Sequence, residues 1–326
     1  MKHSKPLRDW AKSLGTMPAK SSPSAPAFRA LPLFTTALIL TAAVSLAWSG
    51  TISQSRAATP SSAARNKPSR PRATPTPMAL PANLPIPRYP RGAAPFNDGQ
   101  TLVYEASWEG LPAAQARISM VHNRAHPGWW TGEMWITSSA LVDPLYRMRD
   151  YFREDFAYAS WQPAEINILQ HEKTRRDRWL ATFDPAHQLI TAIRTNKAGR
   201  TWIRRFSGGD PWGPFSGAMM ALSQPLTPGR SYTFDVFSGG NRYVFAFAVQ
   251  GRERITTGLG AFNALRIEPA VVWLSEGSFR SQARATTIWV TDDPRHLPIR
   301  IQSAVFIGSV VADLTQVTGG REAPPQ

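Results

Sequence analysis

The chain has 326 residues, 37 Lys/Arg against 22 Asp/Glu, a formal charge of +15, 29 prolines and no cysteine. The lack of cysteine excludes disulfides, thiolate metal centres, cysteine nucleophiles and an acylated lipoprotein cysteine. The charge does not point to nucleic acid: residues 1–95 hold 13 Lys/Arg and one Asp, so 12 of the 15 net charges precede the globular part.

In chain order, residues 1–29 form a basic leader in which Lys2, Lys5, Arg8, Lys12, Lys20 and Arg29 are opposed only by Asp9. An apolar run over 30–50 follows, without charge from Leu31 to Trp48. A spanning helix needs about 20 apolar residues. A signal-peptide core is shorter, about 7 to 15, and ends in a small-residue cleavage site. The run suits either, with Ser45-Leu46-Ala47 as a cleavable tripeptide; its length and the long leader favour an uncleaved transmembrane signal anchor. Basic flanks stay cytoplasmic, so the rest of the chain is expected outside. The domain is then anchored to the inner membrane and displayed in the periplasm, or periplasmic after signal cleavage. Residues 51–95 are rich in Pro, Ser and Ala and read as a disordered tether, extended at about 3 Å per residue.

Residues 96–318 read as one β-rich domain, with a disordered tail over 319–326. Short alternating runs of Val, Ile, Thr and aromatics are punctuated by Gly, Pro, Asn and Asp. Strands are expected at Thr101–Trp108, Ala114–His122, Trp129–Ser138, Leu145–Phe156, Glu165–Gln170, Arg178–Phe183, Leu189–Thr195 and Arg200–Arg205. A second series covers Ser231–Phe237, Arg242–Gln250, Arg252–Thr257, Asn263–Leu274, Arg284–Thr291 and Leu297–Leu314. Ser238-Gly-Gly-Asn241 and Gly258-Leu-Gly260 are hairpin turns. The only helical piece is 213–223. The expected fold is therefore mainly all-β: one large curled antiparallel sheet, half-barrel or barrel-like, that hides its edges by curling.

Catalytic motifs are lacking. His122 and His126 are four apart but fall in a strand-to-turn segment, and Ser216 lacks the glycines of a nucleophile elbow. No metal ligand set and no cofactor are expected. Asp292-Asp293 is the best carboxylate pair, although Asp-Asp-Pro is also ordinary turn chemistry. Arg147, Arg149 and Arg153 are expected on one face of the strand from Leu145, where guanidinium forks could meet phosphate, sulfate or carboxylate, or be neutralised by Glu154, Asp155, Glu172 and Asp177. Trp135 and Trp289 are further candidate ligand contacts among many tryptophans, most of which suit a sheet core.

Three segments carry a family resemblance: Asp98-Gly-Gln-Thr-Leu-Val-Tyr-Glu-Ala-Ser-Trp-Glu-Gly-Leu-Pro-Ala-Ala114, Gly258-Leu-Gly-Ala-Phe262, and Ile288-Trp-Val-Thr-Asp-Asp-Pro-Arg-His-Leu-Pro-Ile-Arg300 continuing to Phe306-Ile-Gly308. They resemble the proteobacterial domain-of-unknown-function family 3108 over about Phe96 to Val317. The resemblance implies an exported, β-rich envelope protein and supplies no catalytic residues. A more distant likeness is to curved half-barrels that carry lipids or lipoproteins through the periplasm, an analogy of fold alone.

The expected function is a non-catalytic periplasmic binding or scaffolding module that holds a lipid, glycolipid or partner protein in its curved sheet. Its membrane contact is the N-terminal helix, and nucleic acid is not a partner. The alternative is an envelope-glycan hydrolase in which Asp292 or Asp293 works with a facing acid such as Glu133 or Asp235.

Overall fold

The computed structural model describes residues 78–79, 86–273, 280–281, 286–305 and 308–320. The leader, the apolar run, most of the expected tether and most of the tail lie outside the described residues. Among the described residues no helix is long and apolar enough to cross a membrane.

The alternating runs form strands because one side chain in two enters a core. Among the described residues sixteen strands join in one sheet: β1 (Met78–Ala79), β2 (Gln100–Trp108), β3 (Leu111–His122), β4 (Trp129–Ser138), β5 (Arg149–Ala157), β6 (Pro163–Glu172), β7 (Arg175–Asp184), β8 (Leu189–Thr195), β9 (Thr201–Ser207), β10 (Ser231–Ser238), β11 (Asn241–Thr257), β12 (Gly260–Trp273), β13 (Arg280–Ser281), β14 (Thr286–Thr291), β15 (Pro298–Ala304) and β16 (Ser309–Thr318). The path runs from β9 back to β2, across to β16, then through β15, β14, β12 and β11 to β10. All these pairs are antiparallel; β1 adds to β9 in parallel. The chain ends of the domain meet where β2 pairs with β16. The sheet curls but does not close into a hydrogen-bonded barrel.

Several expected boundaries move. The run from Leu145 begins as a helical turn, α1 (Asp143–Tyr146), because Pro144 sits in its first turn and Val142 and Tyr146 bury one side of it. The two strands expected at 242–257 are one 17-residue strand, bent by a bulge between Val249 and Gly251. The run from Leu297 is two strands, β15 and β16.

The concave side is filled by the chain's own helix, α2 (Pro214–Leu222), the piece expected at 213–223. Every residue of α2 is buried. Phe215 lies against Gly132 on β4, where a Cβ would overlap its ring. Ala221 and Leu222 face Phe245, Phe247, Ile267 and Ile288. An apolar cavity at this surface measures about 20 Å³, room for no more than a water. Among the described residues, α2 and large aromatics occupy much of the hollow in which the curved sheet was expected to hold a ligand.

The seam between β9 and β10 is closed by side chains and by the segment after β9, where Trp212 makes backbone bonds to Asp235 and Phe237. Phe237 meets Phe183 and Phe206 with centroids 5.7 and 5.2 Å away. Arg242 binds Asp235 and donates to the Gly208 carbonyl at 3.0 Å. Residues 86–95, expected as part of the tether, instead form a strap over this region. Tyr89 packs at a tilt against Tyr232 and Phe234, with ring centroids 5.5 and 5.0 Å away, and its hydroxyl accepts the Thr233 N–H. Arg91 donates to the carbonyls of Tyr158 and Ala159 and lies over Trp161. The aromatic and cationic anchors in this short piece outweigh its prolines. At the other terminus, Gly319 and Gly320, expected in the tail, sit beside Gly99 and Asn97.

Candidate functional site on the outer wall

With the hollow filled, the accessible chemistry lies outside. The register of β3 to β6 places two rows of side chains on the outer face. One row is Arg117, Trp135, Tyr151 and Leu169; the next is Ser119, Glu133, Arg153 and Asn167. Cross-strand neighbours on one face lie about 5 Å apart, close enough to act together.

Trp135 is 39% exposed and pairs with Tyr151 at 5.3 Å and 43° between planes. The Tyr151 hydroxyl donates to Glu133 Oε1 at 2.5 Å. Partial burial, reinforced by that carboxylate, pushes the phenol up to about 12. Arg153 grips Asp155 with two bonds of 3.1 Å, and Thr131 donates to the same carboxylate at 2.5 Å. Burial works to lower the Arg153 guanidinium, but Asp155, Tyr151 and Glu133 together outweigh it and hold the group above its ordinary value. Arg117 is exposed, and Asn167 keeps a buried Oδ1 without a partner.

Glu133 and Arg153 also line an open cleft of about 670 Å³ with Asp98, His122, Asn123 and Thr131. The His122 ring packs on Trp130 and Tyr158 at 4.1 and 4.9 Å. Its Nδ1 lies 3.6 Å from Asp98, and its Nε2 is buried without a partner. A tilted aromatic pair beside planar amide, carboxylate and guanidinium groups can pack one ring on the apolar face of a sugar and bond its hydroxyls.

The candidate residues from the sequence divide among several places. Trp135 and Arg153 share this wall. Arg149 shares the outer face of β5 but is committed to Asp143, with bonds of 3.0 and 2.5 Å. Arg147 precedes the strand, so the expected single stripe is broken by the turn at α1; it stands exposed at one end of the barrel. Of the acids expected to neutralise this stripe, Asp155 does so, whereas Glu154 and Glu172 point inward and are buried. Trp289 is buried on another wall, where its indole N–H donates to Glu253 at 2.8 Å. Asp292 bonds Arg252 at 2.6 Å. Asp293 caps its own turn, accepting from Thr291 and from the Arg295 backbone and side chain; these bonds hold its carboxyl below the usual range despite partial burial. The two acids named as partners are also engaged, Glu133 by Tyr151 and Asp235 by Arg242. Tyr151, Arg117 and Asn167 were missed, since only strand register shows that they flank Trp135.

A family model described as "Protein of unknown function (DUF3108)" matches residues 103–315. The chain belongs to that family. The match starts in β2 and ends in β16, the strands that meet at the domain's chain ends, so it takes in the curled sheet apart from β1. The strap lies outside it. No curated protein matches the chain. Three solved structures are similar in part. A β-barrel-like DUF1849 protein from Brucella abortus aligns with a TM-score of 0.47 and 6% identity, covering 68% of this chain and 98% of that one. A candidate lipoprotein from Parabacteroides distasonis has a TM-score of 0.29 and 10% identity, covering 69% and 98%. A candidate exported protein with a YmcC-like fold from Bacteroides fragilis has a TM-score of 0.29 and 10% identity, covering 70% and 100%.

Proposed function

We propose that this DUF3108 member is a non-catalytic binding module displayed outside the cytoplasmic membrane, and that it holds an envelope glycan or the glycan part of a glycolipid on the outer wall of β3 to β6. The single observation that carries the reading is the Trp135–Tyr151 pair beside Glu133 and Arg153 at the edge of a 670 Å³ cleft. Display outside the membrane rests on the basic leader and the uncharged run Leu31–Trp48. Without a hollow to fill, the sheet serves as a rigid wall, and rigid walls lower the ordering cost of weak polar recognition.

The test is a titration of the full chain with soluble glycan fragments of the cell envelope, read by NMR or tryptophan fluorescence. Binding weakened at least about tenfold by Trp135→Ala is the expected result, since stacked aromatics are common hot spots. Equal binding by Trp135→Ala, or no response to any fragment, overturns the glycan reading.

A further inference from the structure

One end of the barrel concentrates the domain's positive charge. The β4–β5 connection, the β6–β7 turn and the β8–β9 turn emerge together there: Met148 bridges Glu172, Lys173 donates to the Arg147 carbonyl at 2.7 Å, and Arg178, Thr195 and Thr201 stand in one cross-strand row. Residues 141–150, 172–178 and 194–205 hold eleven Lys/Arg and four Asp/Glu, a net +7, whereas residues 96–326 as a whole carry only +3. The remainder of the domain is therefore acidic on balance, and the mild total hides a polarity that only the fold reveals.

None of the four acids is free to neutralise this end. Asp143 is held by Arg149, and Asp177 is buried between Arg175 and Arg194. Asp150 and Glu172 are buried behind the strands, with Glu172 bonded to the Tyr146 hydroxyl at 2.9 Å. By contrast Arg147, Lys173, Arg178, Lys197, Arg200 and Arg204 are exposed, with no ion pair among the described residues.

Apolar side chains project among these cations. The turn at α1 buries Val142 and Tyr146 and leaves Leu141 and Leu145 57% and 65% exposed. On β9, Trp202 and Ile203 are 40% and 46% exposed, because β1 covers that edge only at Phe206 and Ser207. Arg194 and Arg200 lie over the Trp202 ring at 5.2 and 5.9 Å. The two apolar groups stand on strands four spacings apart, about 19 Å.

We propose that this end of the barrel docks on a bilayer surface rich in anionic phospholipid headgroups, with Leu141, Leu145 and Trp202 entering the interface and the arginines and lysines meeting phosphates. The chemistry fits a bilayer better than a soluble polyanion. Basic groups near an anionic leaflet each add attraction, and aliphatic and indole side chains partition into the interface. A purely ionic partner would leave the two leucines in water. The proposal uses residues separate from the Trp135 wall and stands without the glycan reading.

The chain has no cysteine, so one engineered thiol labels one place. The full chain, carrying an environment-sensitive fluorophore at Leu145→Cys, is placed in phosphatidylcholine vesicles with or without about 30 mol % phosphatidylglycerol. A second labelled chain carries Leu259→Cys, in the exposed β11–β12 turn at the opposite end of the strands. The expected result is a blue shift and quenching by bilayer-embedded quenchers at 145 in the anionic vesicles, none at 259, and a loss of about tenfold or more in the anionic-vesicle response when Arg147, Arg200 and Arg204 are changed to Glu. Near-ultraviolet circular dichroism checks that the triple variant is folded; if it is not, Arg147→Glu alone is read. Equal responses at 145 and 259, or at 145 in neutral and anionic vesicles, overturn the proposal. So does a response to soluble heparin without lipid quenching, which would make the surface an anion site.

Discussion

The carboxylate of Glu154, on the inner face of β5, accepts the backbone N–H groups of Phe215 and Ser216 at 2.5 and 3.2 Å. It thereby caps the first turn of the helix that fills the barrel, where the unpaired N–H groups and the positive end of the helix dipole favour an acid. Gly213 permits the contact, since a Cβ there would overlap the carboxylate. Burial nonetheless prevails over these bonds and pushes Glu154 up to about 7.

A pH dependence follows from that balance. The Glu154 carboxyl titrates near 4.5 when unfolded and near 7 when folded, so the native state holds more protons in that window. Its contribution to stability is full below about 4.5 and is lost as the pH rises through 7. Asp150, raised by burial and by the adjacent Glu172, acts in the same direction. Urea denaturation should show stability falling from pH 4.5 to 8, at up to about 1.4 kcal/mol per pH unit per group. The Glu154→Gln, Asp150→Asn double variant should flatten the slope; an unchanged slope contradicts the assignment.

Gly132→Ala should destabilise the domain by about 1–3 kcal/mol through overpacking. The new methyl would collide with the Phe215 ring, which is itself fixed by the Glu154 cap. Gly251→Ala, where a Cβ meets open space, is the control and should stay within about 0.5 kcal/mol. Thermal or chemical melts distinguish the two.

The Asp235–Arg242 pair ties β10 and β11 to the turn after β9 through the Gly208 carbonyl. Burial raises the Asp235 carboxyl against the pull of Arg242, so the pair is costly to split. Arg242→Met alone should cost about 3–5 kcal/mol, and the double change Asp235→Leu, Arg242→Met considerably less. A double-mutant cycle measures the difference.

Loss of the strap should open the seam locally. Tyr89→Ala removes two ring contacts and the acceptor for the Thr233 N–H. Hydrogen exchange at Thr233 should accelerate while exchange in β2 to β4 stays unchanged. Uniform acceleration across the sheet would mean that the strap supports global stability instead.

How far the fold was legible is clearest from particular elements. The runs Trp129–Ser138 and Leu189–Thr195 became strands with unchanged bounds, because alternation is a local property. The spacing of Phe215, Met219, Met220 and Leu222 marked α2 for a similar reason. The turn at Asp143-Pro144 escaped notice because four residues show no periodicity, and its burial comes from Ala113, on another strand, and from Met148, just before β5. Of the outer wall, Trp135 and Arg153 stood out by residue type, but their neighbours Arg117, Tyr151 and Asn167 did not.

The order of amino acids by itself determined that residues 96–318 would be sheet, that one short apolar segment would be helix, that thiol chemistry was absent, and that the family was DUF3108. The first three depend on composition or on short-range pattern, and the family on the likeness of particular segments. Only the tertiary structure decided that α2 would fill the hollow, that residues 86–95 would strap the seam, and that +7 of charge would gather at one end of a domain that totals +3. Those outcomes depend on strand register and on which distant side chains meet. A one-residue slip in register reverses every face of a strand, so no local pattern could have fixed them.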